Sequence, residues 1–257
     1  MAAIITYKEF EGAYDLGRIV IPDSVLMIGT WAFSDCHYLA EVKLPDSLTF
    51  IGTGAFSDCS LKAVRLPESL LSIGSEAFSG CELESIDIPA SVLNLEPGAF
   101  SDCPFLERIT VNENNPLFRS KSNTCLTKDG ETLVFGCKNS VIPAGVRHIE
   151  AHAFEGCWDL ESIEIPDSVV SIGDRAFSQC RNLKTVKLSK SLARIGKEAF
   201  SYCENLSAIE IPDSVSVVGD KAFYACHKLD SRALPDSVRF VGEDVFFLPE
   251  IDDDLPF

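Results

Sequence analysis

Apolar and charged residues alternate in a short motif that returns at a nearly constant interval along the chain. In one copy, Val42 and Leu44 are apolar, and the residue before each of them is charged. This period-two pattern predicts a short, half-buried strand with Glu41 and Lys43 facing water. Pro45 comes next and has no backbone N–H to donate, so the strand is expected to end there. The Asp-Ser pair that follows the proline is typical of a turn.

The proline of this motif sets the period. Asn112 and Ser189 occupy its slot in the two units that lack proline. The slots are 22 or 23 residues apart, except for one unit of 31 residues. Self-similarity at such a period predicts a solenoid, in which each unit stacks on its neighbours. The prolines that mark the units are Pro22, Pro45, Pro67, Pro89, Pro143, Pro166, Pro212 and Pro235.

The second half of each unit ends in an Ala-Phe pair that we expect to plug the core. Stacking places equivalent residues above one another, so these phenylalanines are predicted to form a continuous column. A glycine a few residues earlier suits a bend. Because Glu96 and Glu150 also occupy the glycine slot, we interpret it as a bend that does not require a positive φ. The predicted column contains Phe33, Phe56, Phe78, Phe100, Phe154, Phe177, Phe200, Phe223 and Phe246.

Eight of the ten cysteines share one slot just after the phenylalanine. The repeat explains their spacing, and no paired C-x₂-C motif typical of metal sites is present. Stacked neighbours about 5 Å apart could still form a bridge, but parallel inward side chains favour buried free thiols. We also expect no bridge between the two remaining residues, Cys125 and Cys137, since a turn at Asp129-Gly130 would place Cys125 opposite Val134.

The unit of 31 residues lacks an Ala-Phe plug. Asp-Gly between two apolar runs is a strong hairpin signal, so a β-hairpin insert is predicted over residues 113–137. The insert either shields the core or protrudes as a contact element. In the second case Phe118, Lys128 and Asp129 are the candidate binding residues.

The composition narrows the function. The net charge of −17 disfavours binding to nucleic acid and to anionic membranes. No run of 18 apolar residues and no signal peptide is recognised, which favours a cytoplasmic location unless an export signal was removed. His148 and His152 are four residues apart without the metalloprotease pattern, and phosphate loops and nucleophile elbows are missing. We therefore expect no metal, no cofactor and no catalysis.

Residues 160–180, LESIEIPDSVVSIGDRAFSQC, resemble the BspA-like leucine-rich repeats, also called the Treponema pallidum type. The resemblance implies an α/β repeat solenoid, wound as a right-handed superhelix with a concave parallel sheet of about ten short strands. The predicted parts are an N-terminal cap (1–15), the solenoid (16–246) and an acidic tail (247–257). Arg232 stands where the last strand should bury an apolar residue.

The resemblance further implies binding or adhesion at a bacterial cell surface. The predicted function is a non-catalytic protein-binding module, expected as a monomer, with a protein partner that could be a host protein. An intracellular interaction scaffold is the alternative, favoured by unpaired thiols. The outward positions of the concave sheet carry no aromatic anchors, so this face either is only solvated or makes a weak or multivalent contact with a partner. The candidates are Arg18, Glu41, Lys43, Arg65, Asp87, Arg108, Glu164, Lys187 and Glu210.

Overall fold

A computed structural model of the chain describes residues 3–6, 8–13, 15–229 and 234–248. These residues form a parallel β-solenoid of about ten turns. The expected α/β class is not confirmed, because the described residues contain strands and turns but no helix. Arg232, which stands where the last strand should bury an apolar residue, lies outside the described residues.

The strands are short, with at most four residues each. They are β1 Ala3–Ile5, β2 Arg18–Val20, β3 Val25–Ile28, β4 Glu41–Lys43, β5 Phe50–Ile51, β6 Ser72–Ile73, β7 Ser85–Ile88, β8 Asn94–Leu95, β9 Arg108–Val111, β10 Phe118–Lys121, β11 Thr124–Thr127, β12 Thr132–Phe135, β13 His148–Ile149, β14 Ser162–Glu164, β15 Ser171–Ile172, β16 Thr185–Lys187, β17 Arg194–Ile195, β18 Ala208–Ile209, β19 Val217–Val218 and β20 Phe240–Val241.

The strands that precede the prolines do not form the one continuous sheet that the sequence predicted. Among the described residues these first strands pair in three separate parallel sheets, β2–β4, β7–β9 and β14–β16–β18. The prediction of one sheet of about ten such strands was therefore wrong. One break falls at residues 63–66, in a coil that has one residue fewer between its cysteine and the following leucine. No strand forms in this segment, although the next coil has the same spacing and forms β7.

A second strand after each proline carries the longer ladders. These second strands form sheets in the orders β1-β3-β5-β6-β8 and β10-β11-β12-β13-β15-β17-β19-β20. Their buried residues lie in register, with Ile28 beside Ile51 and Ile51 beside Ile73. The sequence places these isoleucines in the core but does not predict strands, because runs of two residues show no alternation.

The predicted phenylalanine column is present and longer than expected. Within each half of the solenoid, neighbouring rings lie nearly parallel with centroids 5.0–5.5 Å apart. Phe10 extends the column towards the N-terminus by stacking on Phe33. In the unit without an Ala-Phe plug, Phe135 takes the vacant place and packs on Phe100 with its ring tilted by 34°. Phe135, a residue of β12, therefore extends the first half of the column to the insert, where the core divides into two clusters.

Each phenylalanine of an Ala-Phe pair from Phe33 to Phe223 is flanked by two residues with left-handed backbone, two positions before and two positions after it, and the Val-Phe phenylalanine, Phe246, has the first of the two. Their φ values lie between +51° and +74°. Between these residues the backbone donates hydrogen bonds to the next coil, as Phe33 N does to Ala55 O at 2.8 Å. The first position holds Trp31, Gly54, Glu76, Gly98, His152, Arg175, Glu198, Lys221 and Asp244. The second holds Asp35, Asp58, Gly80, Asp102, Gly156, Gln179, Tyr202 and Ala225.

The sequence predicts that the glycine slot before each corner is a bend that does not require a positive φ. The structure agrees, because no glycine in this slot has a positive φ. Its glycines are needed for a different reason, the close approach of neighbouring coils. A Cβ on Gly52 would lie 2.7 Å from the backbone nitrogen of Thr30, and one on Gly219 would lie 2.5 Å from that of Lys197. Glutamates replace the glycine at positions 96 and 150, on either side of the insert.

All ten cysteines are free and buried, as predicted. The slot has a function beyond packing, because most of its thiols donate to the phenylalanine carbonyl of the preceding coil. Cys203 Sγ, for example, lies 3.1 Å from Phe177 O. Burial raises the pKa of every thiol, to about 12 for Cys103 and Cys226. The thiols are thus neutral donors at physiological pH.

The insert consists of three antiparallel strands, β10 to β12, and not of a single hairpin. The predicted turn at Asp129-Gly130 joins β11 to β12. A second turn, with positive φ at Ser122 and Asn123, joins β10 to β11 and was not predicted. Cys125 lies opposite Phe135 and not Val134, because the β11–β12 pair contains an irregularity after Cys125. The buried core divides into two clusters at this insert.

The left-handed corner predicts an unusual response to glycine. A non-glycine residue there costs about 1–2 kcal/mol of backbone strain, whereas glycine elsewhere lowers stability by about 0.5–1 kcal/mol. Lys221, with φ of 54°, and Lys190 are both exposed. We expect Lys221→Gly to be more stable than Lys190→Gly by about 1 kcal/mol in urea unfolding. Equal losses in the two variants would contradict the strain at this position.

Candidate functional site

The nine predicted binding residues lie on the outward side of the first strands and are all exposed. We call this surface, formed by the outward side chains of β2, β4, β7, β9, β14, β16 and β18 and of the equivalent segment 63–66, the first-strand face. Arg65 lies in the segment without a strand, and Glu210 follows β18. The solenoid therefore presents these residues as a row of charges on one surface.

Several of these charges are paired between neighbouring coils. Arg18 Nε lies 3.1 Å from Glu41 Oε2, and Lys187 pairs with Glu164. Each partner is about two-thirds exposed, so solvent screens the attraction and each pair contributes little to stability. A partner could replace such pairs at little cost.

Shallow depressions lie along the same face. The largest of them, about 580 Å³, lies where the strand at residues 63–66 is missing, and Arg65 and Asp87 line it. A more apolar depression of about 550 Å³ is lined by Ile209 and Pro212 together with the predicted residue Lys187. The first-strand face thus offers shallow depressions and mixed charge to a ligand, without a deep pocket.

The three insert residues predicted to contact a partner are instead buried or hydrogen-bonded within the molecule. Phe118 is only 9% exposed and belongs to the core, so it cannot serve as a surface contact. Lys128 Nζ donates to Asn115 O at 2.6 Å. Asp129 accepts hydrogen bonds from Thr127 and from the backbone of Glu131, and the Thr127 hydroxyl is the main cause that lowers its pKa. Lys128 and Asp129 are exposed, but they hold the turn of the insert.

A second surface, which the sequence did not predict, crosses the corners of successive coils. It is a groove of about 700 Å³ with three partly exposed aromatic side chains, Trp31, Phe105 and Trp158. We call it the corner groove. Its acidic residues are Asp58, Glu76, Glu82 and Asp102, and its other lining residues are Ser57, Ser79, Gly80, Cys81, Pro104 and Gln179.

A buried cluster of charges lies beside the corner groove. Glu155 is 4% exposed and contacts His152 Nδ1 at 2.5 Å and an Arg175 guanidinium nitrogen at 3.1 Å. The hydrogen bond that His152 donates to Glu155 raises the pKa of His152. Desolvation, together with the charge of Glu155, raises the pKa of Asp102 to about 6. Like charges and burial therefore keep a destabilised carboxylate at the edge of the groove.

The sequence indicated the groove only weakly. His152 occupies the first left-handed corner position, which also holds Trp31 and Glu76. The signal was the placement of both tryptophans of the chain beside corners. Trp158 and Asp102 belong to units separated by the insert, so the repeat pattern could not show that they meet.

The described part of the chain holds no group of three or more His, Cys, Asp or Glu side chains that could bind a metal ion. His148 and His152 face different partners, Ser171 and Glu155. Within the same residues, no helix is long and apolar enough to cross a membrane.

Comparison with protein families gives one match that covers most of the chain. The model of the BspA type leucine rich repeat region, in six copies, matches residues 3–123 and 134–249. The gap in this match falls on β11, the turn after it and the start of β12. No curated protein matches the sequence.

Three solved structures share the fold. A leucine rich cell surface protein from Faecalibacterium prausnitzii is 31% identical, with a TM-score of 0.70, and the match covers 89% of this chain and 69% of that one. A leucine-rich repeat protein from Eubacterium ventriosum is 21% identical, with a TM-score of 0.66 and coverage of 95% and 79%. The pneumococcal vaccine antigen PcpA is 24% identical, with a TM-score of 0.68 and coverage of 95% and 56%.

The raised pKa of Asp102 predicts that this residue lowers stability at neutral pH. Between the ordinary pKa of 3.8 and about 6, the folded state keeps a proton that the unfolded state has lost, so stability falls as pH rises through this window. Asp102→Asn should therefore raise the free energy of unfolding at pH 7 by about 1–3 kcal/mol.

This increase in the free energy of unfolding should largely vanish at pH 4. Urea unfolding of the wild type and of Asp102→Asn at pH 4 and pH 7 measures it. Asp213→Asn, at an exposed position, is the control and should show no such pH dependence. A constant effect of Asp102→Asn from pH 4 to pH 7 would be inconsistent with a buried, repelled carboxylate.

Proposed function

The chain belongs to the BspA-type leucine-rich repeat family, and we propose that it is a non-catalytic protein-binding module of a bacterial cell surface. The observation that carries the proposal is the first-strand face. Depressions and exposed charges recur along this face from coil to coil. Such an extended surface suits a macromolecular partner better than a small substrate, which requires a deep and mostly apolar pocket.

The surface location rests on the relative from Faecalibacterium prausnitzii, which is described as a cell surface protein. We propose the same location and an adhesive role for this chain. We also propose that the coil is right-handed, that the first-strand face lies on its concave side, and that the module acts as a monomer. A host protein is one candidate partner.

The intracellular scaffold is the second candidate function. Ten free cysteines favour it, because oxidising compartments favour disulfides. These thiols are buried, and burial raises their pKa, so oxidation is slow in either compartment. Exposure to protease on intact cells of the source bacterium separates the two: cleavage without lysis supports the surface location, and protection until lysis supports the scaffold.

A charge-reversal variant tests the first-strand face. We expect the triple variant Glu41→Lys, Lys43→Glu and Arg65→Glu to lose at least tenfold in capture of partner proteins from an epithelial surface-protein extract. The reason is that the variant changes the charges around three depressions of this face. Quantitative mass spectrometry of the captured proteins is the measurement.

The matched control is Glu131→Lys, Arg147→Glu and Arg194→Glu, which makes the same charge changes at exposed residues beside the second strands. A protein retained by the wild type and by the control, but not by the first variant, supports binding at the first-strand face. Equal capture by all three proteins would exclude it.

A further inference from the structure

We propose that the corner groove, a surface separate from the first-strand face, binds an extended, arginine-containing segment of a protein partner. The groove joins three aromatic side chains to four acidic ones, and among its described lining residues there is no lysine, arginine or histidine. This combination is selective for a cation that is also planar.

The aromatic side chains provide stacking surfaces for such a cation. Phe105 is 50% exposed and Trp158 is 39% exposed, and both line the same groove as Trp31. Large aromatic side chains gathered on a surface usually mark an interaction site. Among aromatic side chains, tryptophan attracts a guanidinium to its ring face most strongly. Trp158 already contacts one guanidinium of this chain, since Arg181 Cζ lies 5.3 Å from its ring centre.

The acidic side chains supply charge that the chain itself does not neutralise. Within the described residues, Asp58, Glu76 and Asp102 form no ion pair, and Glu82 reaches Lys62 only at 3.9 Å. Arg175 and Arg181 act on Asp102 from a distance, but burial and Glu155 outweigh them and leave its pKa raised. A bound cation would stabilise this carboxylate. Arginine suits the site better than lysine, since its planar fork both stacks on rings and pairs with carboxylates.

The length of the groove favours a peptide segment over a free small cation. Four backbone hydrogen bonds link the corners in order, from Asp35 to Ser57, Asp58 to Ser79, Gly80 to Ser101 and Asp102 to Glu155. Four coil steps at about 4.8 Å each span roughly 19 Å, the length of about six extended residues. An extended segment could therefore lie along the corners with its arginine between the tryptophans and the acids.

Tryptophan fluorescence tests the proposal directly, because Trp31 and Trp158 are the two tryptophans of the chain. The probe is the acetylated, amidated pentapeptide Gly-Ser-Arg-Ser-Gly. The same peptide with citrulline in place of arginine is the control ligand, since it keeps the shape and removes the charge. A third peptide has lysine in place of arginine. We expect a saturable fluorescence change with the arginine peptide, and at least tenfold weaker binding of the citrulline peptide and of the lysine peptide.

The double variant Asp58→Asn, Asp102→Asn keeps both tryptophans. Its affinity for the arginine peptide should be at least tenfold lower than that of the wild type. Its control is Asp213→Asn with Asp236→Asn, which removes the same charge at exposed positions outside the groove and should bind like the wild type. Thermal unfolding checks that both variants fold.

Three results would overturn the proposal: no saturable change, equal binding of the citrulline peptide, or equal weakening by the two aspartate variants. Equal affinity for the lysine peptide would overturn the choice of arginine. The first-strand charge-reversal variant should bind the arginine peptide normally, so failure here and failure of the proposed function can be told apart.

Discussion

The structure depends on the stacking of equivalent phenylalanines from coil to coil. A ring at each corner fills the centre of its coil and contacts the rings above and below at centroid distances of 5.0–5.5 Å in both halves of the solenoid. Holding the ring there requires the backbone to turn sharply on both sides, and two residues with positive φ provide this. The strain is offset by ring burial, by backbone bonds to the next coil and by cysteine thiols that donate to the phenylalanine carbonyls.

The unit with the insert departs from the regular corner. The 31-residue unit has no corner of its own, yet Phe135 from β12 occupies the missing ring position. At the outer edge of the corner, the chain bypasses this unit, and Asp102 N bonds directly to Glu155 O at 2.9 Å. This bypass places two acidic side chains from distant units side by side. The corner groove, with its destabilised carboxylate, is thus a consequence of fitting the insert into a regular stack.

Much of this architecture could be predicted from the sequence, because every coil of a solenoid has nearly the same conformation and the repeat period shows which residues are equivalent. The phenylalanine column, the buried free thiols and the turn at Asp129-Gly130 all follow from slot positions. The second strands did not follow, since two-residue strands show no alternation. The left-handed positions were hidden because residues as different as Trp31, Glu76 and Lys221 occupy them. The corner groove depends on contacts across the insert, which no periodic pattern contains. Whether the first-strand face binds a partner remains a prediction.

Hydrogen exchange in Phe177→Ala tests the central role of the column most directly. Phe177 is fully buried and stacks on Phe154 and Phe200. Its loss should cost about 3–5 kcal/mol and should speed amide exchange in the coils of both neighbours, because their rings lose a packing partner. Phe240→Ala, at a residue that is 59% exposed, should do neither. Faster exchange confined to the coil of Phe177, or a loss of stability no larger than that of Phe240→Ala, would contradict a column that couples the coils.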